Sequence, residues 1–293
     1  VLSSALVPSK GIGDLAKILK IETDEKTGFI KQLYPKLKTV ETQIKGIYVC
    51  GAASGPKDVS HSVTEGSAAA SKAAATLKHG MERDLTIARV DENTCIGCEI
   101  CVKVCPYFAV KMIEKNGKKI AEVNASECMG CGICSANCLV GSIEIKHSSH
   151  KQLLSYLKSL INEAKDGLKP TIACFACDEC GYATIDVAGM NKMQYPANVL
   201  VIRVPCLGRV SVIEVLKALE EGAEGVLLVG CMPERCHYLK GNLWSQVHLE
   251  TAKAILEAIG LKENKVGICT LFSAEPNIFI DAVNDMIKSL REG

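Results

Sequence analysis

The residues of this sequence with the most chemistry to offer are its 16 cysteines, and half of them fall into two runs with one spacing. In each run two residues separate the first three cysteines, and the fourth follows after three more. Each cysteine of the first run has a counterpart 33 residues later, so the region is an internal duplication. Thiolates at this spacing ligate iron, and two runs predict two 4Fe-4S clusters. The eight cysteines are Cys95, Cys98, Cys101, Cys105, Cys128, Cys131, Cys134 and Cys138.

The spacing also predicts which thiols share a cluster. This region resembles the bacterial two-cluster ferredoxins, in which three closely spaced thiols wrap one cubane and the fourth points toward the other cluster. We therefore assign the fourth thiol of each run to the cluster of the other run. The predicted ligands are Cys95, Cys98, Cys101 and Cys138 for the first site, and Cys128, Cys131, Cys134 and Cys105 for the second.

Structural zinc is the alternative for these runs. Zinc needs only four tetrahedral ligands per site and typically uses paired C-x2-C hooks that lie far apart in the chain. Two runs of four cysteines fit iron-sulfur clusters better. One asymmetry is that Leu139 follows the second run where Pro106 follows the first, which removes no ligand.

Charge and hydropathy exclude two classes of partner. The chain carries 34 Lys and Arg against 33 Asp and Glu, so no basic surface for nucleic acid is expected. No apolar run reaches the roughly 18 to 20 residues that span a bilayer. We expect a cytoplasmic protein without a direct membrane span, in a reducing, anaerobic compartment.

An earlier segment resembles a flavoprotein. The triplet Gly28-Phe29-Ile30 is followed by a strand-like stretch at 45–51 that ends in Gly51, and then by an alanine-rich helix predicted at 67–77. This order is similar to the last part of the FAD domain in thioredoxin-reductase-like flavoproteins. That family usually has Asp after the glycine, whereas Ala52 and the Gly-Pro-Lys at 55–57 bring the stretch close to the A-type flavoprotein of heterodisulfide reductase.

The resemblance implies an FAD site of which this sequence supplies only a part. The phosphate-binding glycine loop that normally begins such a domain does not precede the segment. We therefore expect a partner chain to carry the N-terminal half of the FAD domain. The residues implied to contact FAD are Gly51, Ala52, Pro56, Lys57, Ser62 and Val63.

Five further cysteines follow predicted strands in the last part of the chain. Strands predicted at 171–175, 199–204, 226–229 and 265–270 alternate with helices at 210–221, 245–259 and 276–290, which indicates a small parallel sheet. Binding sites of such sheets lie at the carboxyl ends of the strands, where these cysteines fall.

This last segment resembles the small iron-sulfur subunit of methyl-viologen-reducing hydrogenases, which implies one 2Fe-2S cluster. Its ligands would be four of Cys177, Cys180, Cys206, Cys231 and Cys236, and Cys180 is the first candidate to leave out. His237 could hydrogen-bond a cluster sulfur. Cys50, Cys174 and Cys269 are interpreted as small buried hydrophobes, and 147–150 as a polar connection.

The predicted fold is therefore multidomain, α/β and α+β. It comprises the C-terminal part of a thioredoxin-reductase-like FAD domain at 1–85, a two-cluster 4Fe-4S ferredoxin domain at 86–148, and a small parallel α/β domain for 2Fe-2S at 149–293. Because the sequence opens within an apolar, strand-like run at 1–7, we expect a fragment or a split subunit.

The combined resemblance implies an electron-transfer subunit of a heterodisulfide-reductase-type complex of methanogenesis, not catalytic alone. Electrons from a hydrogenase, formate dehydrogenase or deazaflavin-oxidising partner would pass through the 2Fe-2S cluster to FAD and the 4Fe-4S clusters. The FAD would split them by flavin-based bifurcation. The further expected partners are ferredoxin and subunits of the reductase B and C types. Two alternatives stay open: a subunit of the quinone-interacting oxidoreductase of sulfate reducers, and a zinc or thiol redox-sensing scaffold.

Overall fold

In the computed structural model the chain divides into two compact units, Val1–Arg83 and Asp84–Gly293. The structure describes residues 4–33, 38–79, 86–164 and 169–292. The predicted linker around Arg83 and the predicted helix end near Gly167 lie outside these residues. The division at 85/86 and 148/149 into three domains stays a prediction.

The first unit has two helices and little regular sheet in its described part. Helix α1 spans Ile12–Leu19, and α2 spans Val59–His79. The alanine-rich helix is thus confirmed, but it begins at Val59, eight residues before the predicted start at residue 67. The cluster of buried apolar side chains is small: Ala16, Ile21, Ile30 and Val49.

Two predicted strands of this unit are wrong. The described part of the opening run, residues 4–7, is not in a strand, and residues 1–3 lie outside the described part. The stretch at 45–51 forms a single bridge, between Tyr48 and Glu41, and then a 3₁₀ turn at Gly51–Ala53. Beyond this bridge, the described part of the first unit contains no strand with which the segment could pair.

The second unit begins with two antiparallel ribbons that enclose the cysteine runs. Strand β1 (Ala88–Val90) pairs with β4 (Ile143–Ile145), and β2 (Val110–Lys115) pairs with β3 (Lys118–Val123). A short helix lies within each run, α3 at Ile100–Val104 and α4 at Ile133–Ala136.

The rest of this unit is a parallel sheet with helices. The elements are α5 His150–Ala164, β5 Ile172–Cys177, α6 Ala183–Met190, β6 Val199–Val204, α7 Val212–Glu220, β7 Gly225–Cys231, α8 Gly241–Ala258, β8 Val266–Leu271 and α9 Pro276–Glu292. The four strands lie in the order β6-β5-β7-β8, so β5 and β7 are central, and β7 is buried along its whole length. The predicted parallel sheet is confirmed, but the sequence did not predict helix α6.

The ribbon region and the sheet region pack directly against each other, through helix α4 and a 3₁₀ turn at Leu207–Arg209. A methyl group on Gly132 would come within 2.6 Å of Arg209 Cδ, and one on Gly208 within 2.7 Å of Ile133 Cγ1. Both glycines therefore mark a close approach of backbone to side chain. The two regions share one hydrophobic core.

Among the helices of the described ranges, none has the length and apolar character to cross a membrane.

Candidate functional site

The first predicted cluster site is a cavity lined by all four thiols assigned to it. Cys95, Cys98, Cys101 and Cys138 surround it, together with apolar side chains from β2, β3 and β4. Gly97 lies in the loop at φ 69°, and a Cβ there would come 2.6 Å from the Lys119 carbonyl oxygen. The loop can therefore wrap the cavity only with glycine at this position.

The second predicted site is a matching cavity lined by its own four predicted thiols, Cys105, Cys128, Cys131 and Cys134. The two cavities match in being lined by four thiols each. They differ in exposure, because Cys98 in the first is exposed, whereas Cys131 and Cys134 in the second are buried.

The protonation of these thiols reflects burial and mutual repulsion. Burial, and then the neighbouring Cys98, Cys138 and Cys95, raise the pKa of Cys101 to about 11. Burial likewise raises the pKa of Cys131 to about 12. Burial opposes ionisation of Cys138 too, but a hydrogen bond with Ser142, at 3.3 Å, and backbone N–H groups lower its pKa.

Both cavities fit 4Fe-4S clusters. Four sulfur donors converge on each, the linings are otherwise mostly apolar, and positive-φ glycines let the backbone come close. The loops hold four cysteine sulfurs close together although their charges repel one another, and four cysteine thiolates are the ligands that such clusters need. The assignment of individual ligands stays a prediction that this arrangement supports.

The five cysteines of the sheet region gather at the carboxyl edge of the sheet, as the strand pattern predicts. Cys177 and Cys231 end the neighbouring strands β5 and β7, and their sulfurs are 3.8 Å apart. Cys206 follows β6, and its sulfur lies 3.9 Å from that of Cys236. All five are buried, Cys180 included, so burial does not single out the one that is not a ligand.

Local backbone features position these thiols. A π-helical turn at Asp178–Tyr182 follows β5, and its Gly181 N–H donates to the Cys177 sulfur at 3.3 Å. Gly241 begins α8 where a Cβ would overlap the Cys206 sulfur and lie 3.1 Å from that of Cys236. A glycine at this helix start thus leaves room for the sulfurs.

Hydrogen bonds among the five thiols change their pKa values in opposite directions. Hydrogen bonds from Cys180 and Cys231 lower the pKa of Cys177 to about 3, and hydrogen bonds from Cys206 and Cys231 lower the pKa of Cys236 to about 3. The thiols that donate have raised pKa values. Five buried cysteine sulfurs gathered in this way make a soft donor set that fits a thiolate-ligated iron-sulfur cluster such as 2Fe-2S.

His237 lies against this group, as the sequence indicates. Its Nδ1 is 3.7 Å from the Cys231 sulfur and 3.9 Å from the Cys180 sulfur. These three side chains could together hold a metal ion, since their donor atoms lie within 4.8 Å of one another. Cys174 and Cys269 are buried, and burial raises their pKa values, whereas Cys50 is half-buried.

A buried ionic network at the junction was not predicted. Arg209 is completely buried, and its Nη1 donates to Glu214 Oε1 at 3.0 Å. Burial alone would raise the pKa of Glu214, but the His150 hydrogen bond and the Arg209 charge lower it to about 2. His150 thus contacts Glu214 and the Ser135 carbonyl. The prediction that it lies in a solvated connection is wrong, because that connection is where α5 meets α4 and α7.

The residues implied to contact FAD lie around the 3₁₀ turn and the start of α2. Gly51, at φ 61°, donates its N–H to Glu65 Oε2 at 2.9 Å, and a Cβ on it would touch Ser62 Cβ at 3.5 Å. Lys57 forms an ion pair with Glu65, which the sequence did not indicate. Ala52, Pro56 and Val63 are not buried. The turn and the helix start therefore come together, and their contact with FAD stays a prediction.

Two family models match the second unit. Residues 172–292 match the delta subunit of methyl-viologen-reducing hydrogenase, and residues 88–145 match the 4Fe-4S dicluster domain. The matched ranges contain the thiol group of the sheet and the two four-thiol cavities, respectively.

Curated relatives combine the same parts. Over its whole length the chain is 36% identical to the A subunit of the ferredoxin:CoB-CoM heterodisulfide reductase of Methanosarcina mazei, of which it spans 36%. It is 35% identical over 119 residues to the vhu iron-sulfur protein of the F420-non-reducing hydrogenase of Methanocaldococcus jannaschii, covering 41% of the chain and 89% of that relative. Over 166 residues, 56% of the chain, it is 39% identical to the A subunit of the H2/formate:CoB-CoM heterodisulfide,ferredoxin reductase of Methanococcus maripaludis, of which it covers 25%.

Proposed function

We propose that this chain, which belongs to the family of heterodisulfide reductase A subunits and carries a domain of the hydrogenase delta type, transfers electrons between its C-terminal thiol group and its two ferredoxin sites. The observation that carries the proposal is that both kinds of site lie in one compact unit and share one core. Cys131 of the second cavity is close enough to Cys206 and Cys236 for their charges to act on one another.

The residues of this chain would hold and shield three centres. The two cavities would each hold a 4Fe-4S cluster, and four of the five C-terminal cysteines would hold a 2Fe-2S cluster. When bound, each of these clusters takes up and gives up one electron at a time. The buried side chains around the second cavity and the thiol group, such as Ile133 and Leu207, exclude water from the space between them.

The shared core gives the transfer its physical basis. Electron transfer needs a short, fixed separation between donor and acceptor, and a loose tether would not fix it. Here helix α4 packs on the turn at Leu207–Arg209. His150 joins Glu214 to the Ser135 carbonyl of α4, and Arg209 Nε donates to the Ser148 carbonyl, so buried polar contacts connect the two regions. A hinge between them would have to break buried polar contacts, which is costly.

An FAD shared with another chain would complete the function. Gly51 and Ser62 form a close approach of turn and helix α2, and the amino end of α2 would favour negative charge on a bound group. The glycine loop for the phosphates would come from the chain that carries the other half of the FAD domain.

The partners follow from the names of the relatives. One relative is named as an H2/formate-dependent reductase and another as part of a hydrogenase. The donor to the C-terminal centre would accordingly be a hydrogenase, a formate dehydrogenase or a deazaflavin-oxidising protein. Reductase subunits of the B and C types and ferredoxin would be the acceptors, with FAD splitting the electrons between them.

The experiment that tests this function is the quantification of iron, acid-labile sulfide and zinc in chain purified without oxygen. We expect about 10 irons per chain, from two 4Fe-4S clusters and one 2Fe-2S cluster. A content of about 8 irons would mean that the C-terminal thiol group holds no cluster. Zinc with little iron would instead favour a zinc or thiol scaffold and overturn the electron-transfer function.

A further inference from the structure

Tyr107 carries a buried hydroxyl group with no partner among the described residues. The side chain is only 4% exposed and lines the second cavity together with Cys105, Cys131 and Cys134. Its hydroxyl oxygen is fully enclosed and makes no hydrogen bond within the described ranges. Buried hydroxyls almost always have a partner, so an unpaired one calls for an explanation.

The surroundings of this hydroxyl contain sulfur on two sides. The sulfurs whose charges act on it belong to Cys131 of the second cavity and to Cys236 and Cys206 of the C-terminal group. The backbone N–H of Tyr107 already faces the Cys105 sulfur. Tyr107 thus contacts a thiol of the second cavity through its backbone, and its hydroxyl lies within reach of the charges of sulfurs from both the second cavity and the C-terminal group.

The chemistry fixes the direction of the missing hydrogen bond. Cluster sulfides and cysteine thiolates bound to iron can only accept, whereas a phenol can donate. A cluster sulfide or an iron-bound cysteine sulfur is therefore a partner that would satisfy the hydroxyl.

We propose that the Tyr107 hydroxyl donates a hydrogen bond to a sulfur of the second 4Fe-4S cluster and thereby raises the reduction potential of that cluster. A hydrogen bond to a cluster sulfur stabilises the more negative, reduced state and raises the potential. Tyr107 is a tuning residue, and the inference rests on the proposed function because it requires the cluster.

The test is an EPR-monitored redox titration of the full chain, without oxygen, in wild type and Tyr107→Phe. The variant keeps the ring and removes only a hydroxyl that has no other partner among the described residues, so it should fold. We expect the potential of the second 4Fe-4S cluster to become more negative while the other two centres keep theirs. Cys98→Ser, which changes the exposed thiol of the first cavity, identifies which 4Fe-4S signal belongs to the first site.

A second readout separates hydrogen bonding from packing. After exchange into D2O, deuterium ENDOR of the reduced second cluster should show one exchangeable deuteron coupling that Tyr107→Phe lacks. Tyr156→Phe, at an exposed tyrosine of α5, is the matched control and should change neither readout.

Three results would overturn the inference, and they differ in whether they also overturn the proposed function. Unchanged potentials with about 10 irons bound would refute the hydrogen bond and leave the proposed function standing. A shift of the C-terminal centre alone would show that the hydroxyl donates to the other side. Absence of bound iron would remove the proposed function and the inference together.

Discussion

The sulfurs of Cys177 and Cys231 lie 3.8 Å apart although 54 positions separate them in the chain. Parallel pairing of β5 and β7, with Ala176 opposite Val229, brings the two strand ends to the same edge of the sheet. Sheet register, rather than a local loop, therefore brings Cys177 and Cys231 together.

Replacing Cys231 should remove the C-terminal centre alone. Its sulfur contacts Cys177 and lies beside His237, at the middle of the group. For Cys231→Ala we expect iron to fall from about 10 to about 8 per chain, with both 4Fe-4S signals retained. The control is Cys269→Ala, at a buried cysteine outside the group, which should keep all the iron. Full iron content in Cys231→Ala would exclude it as a ligand.

Gly132→Ala should disturb the junction between the ribbons and the sheet. Gly132 has φ 78°, and a Cβ would lie 2.6 Å from Arg209 Cδ and 2.9 Å from Ile145 Cδ1. The matched control is Gly141→Ala, at φ 64° with open space around it. The control should lose only the roughly 1–2 kcal/mol that a positive φ costs alanine. Gly132→Ala should lower the midpoint of anaerobic thermal unfolding clearly further, and equal losses would contradict the close approach.

Arg209→Met should destabilise the second unit strongly. The variant leaves Glu214 buried without its guanidinium partner, a change that typically costs about 3–5 kcal/mol. The midpoint of thermal unfolding, followed by the fluorescence of Trp244, the only tryptophan, should fall by many degrees. Lys217→Met breaks an exposed pair with Glu220 on the same stretch of chain and should change little. A small effect of Arg209→Met would mean that the buried pair does not hold the junction.

His248 should make stability depend on pH. Burial lowers its pKa below the usual 6.5, and its ring contacts the Val210 carbonyl and the Asn137 side chain. The unfolded chain takes up this proton as pH falls through about 6.5, whereas the folded chain resists it, so the stability is present above that pH and is lost below it.

The midpoint of thermal unfolding should therefore drop less between pH 7.5 and 5.5 in His248→Gln than in wild type. His61→Gln, at an exposed histidine of the first unit, should leave the pH dependence unchanged. An identical drop in His248→Gln and wild type would show that this histidine does not contribute.

Sequence spacing was enough to predict the grouping of the thiols, because it reflects loop geometry and strand order. The two sets of four, and the strand ends that carry Cys177, Cys206 and Cys231, come together as predicted. What failed depends on distant contacts. His150 reads as a linker residue until α7 brings Glu214 to it, and Tyr107 reads as an ordinary aromatic until the cavity forms around it.

The first unit was harder to predict because strands need partners that the segment itself does not supply. The apolar stretch at 45–51 has strand-like composition but pairs only through Tyr48 within the described part of the chain. Helix α2, in contrast, depends mainly on local propensity, and its small residues predicted its second half, although the helix begins at Val59 rather than at residue 67.

The most direct test of the account is the rate of electron exchange between the C-terminal centre and the 4Fe-4S centres after flash photoreduction of the full chain, without oxygen. The account predicts a fast phase whose rate does not depend on protein concentration and which Cys231→Ala abolishes. A phase that slows in proportion as the protein is diluted would mean that electrons pass only between molecules, and would contradict transfer within this chain.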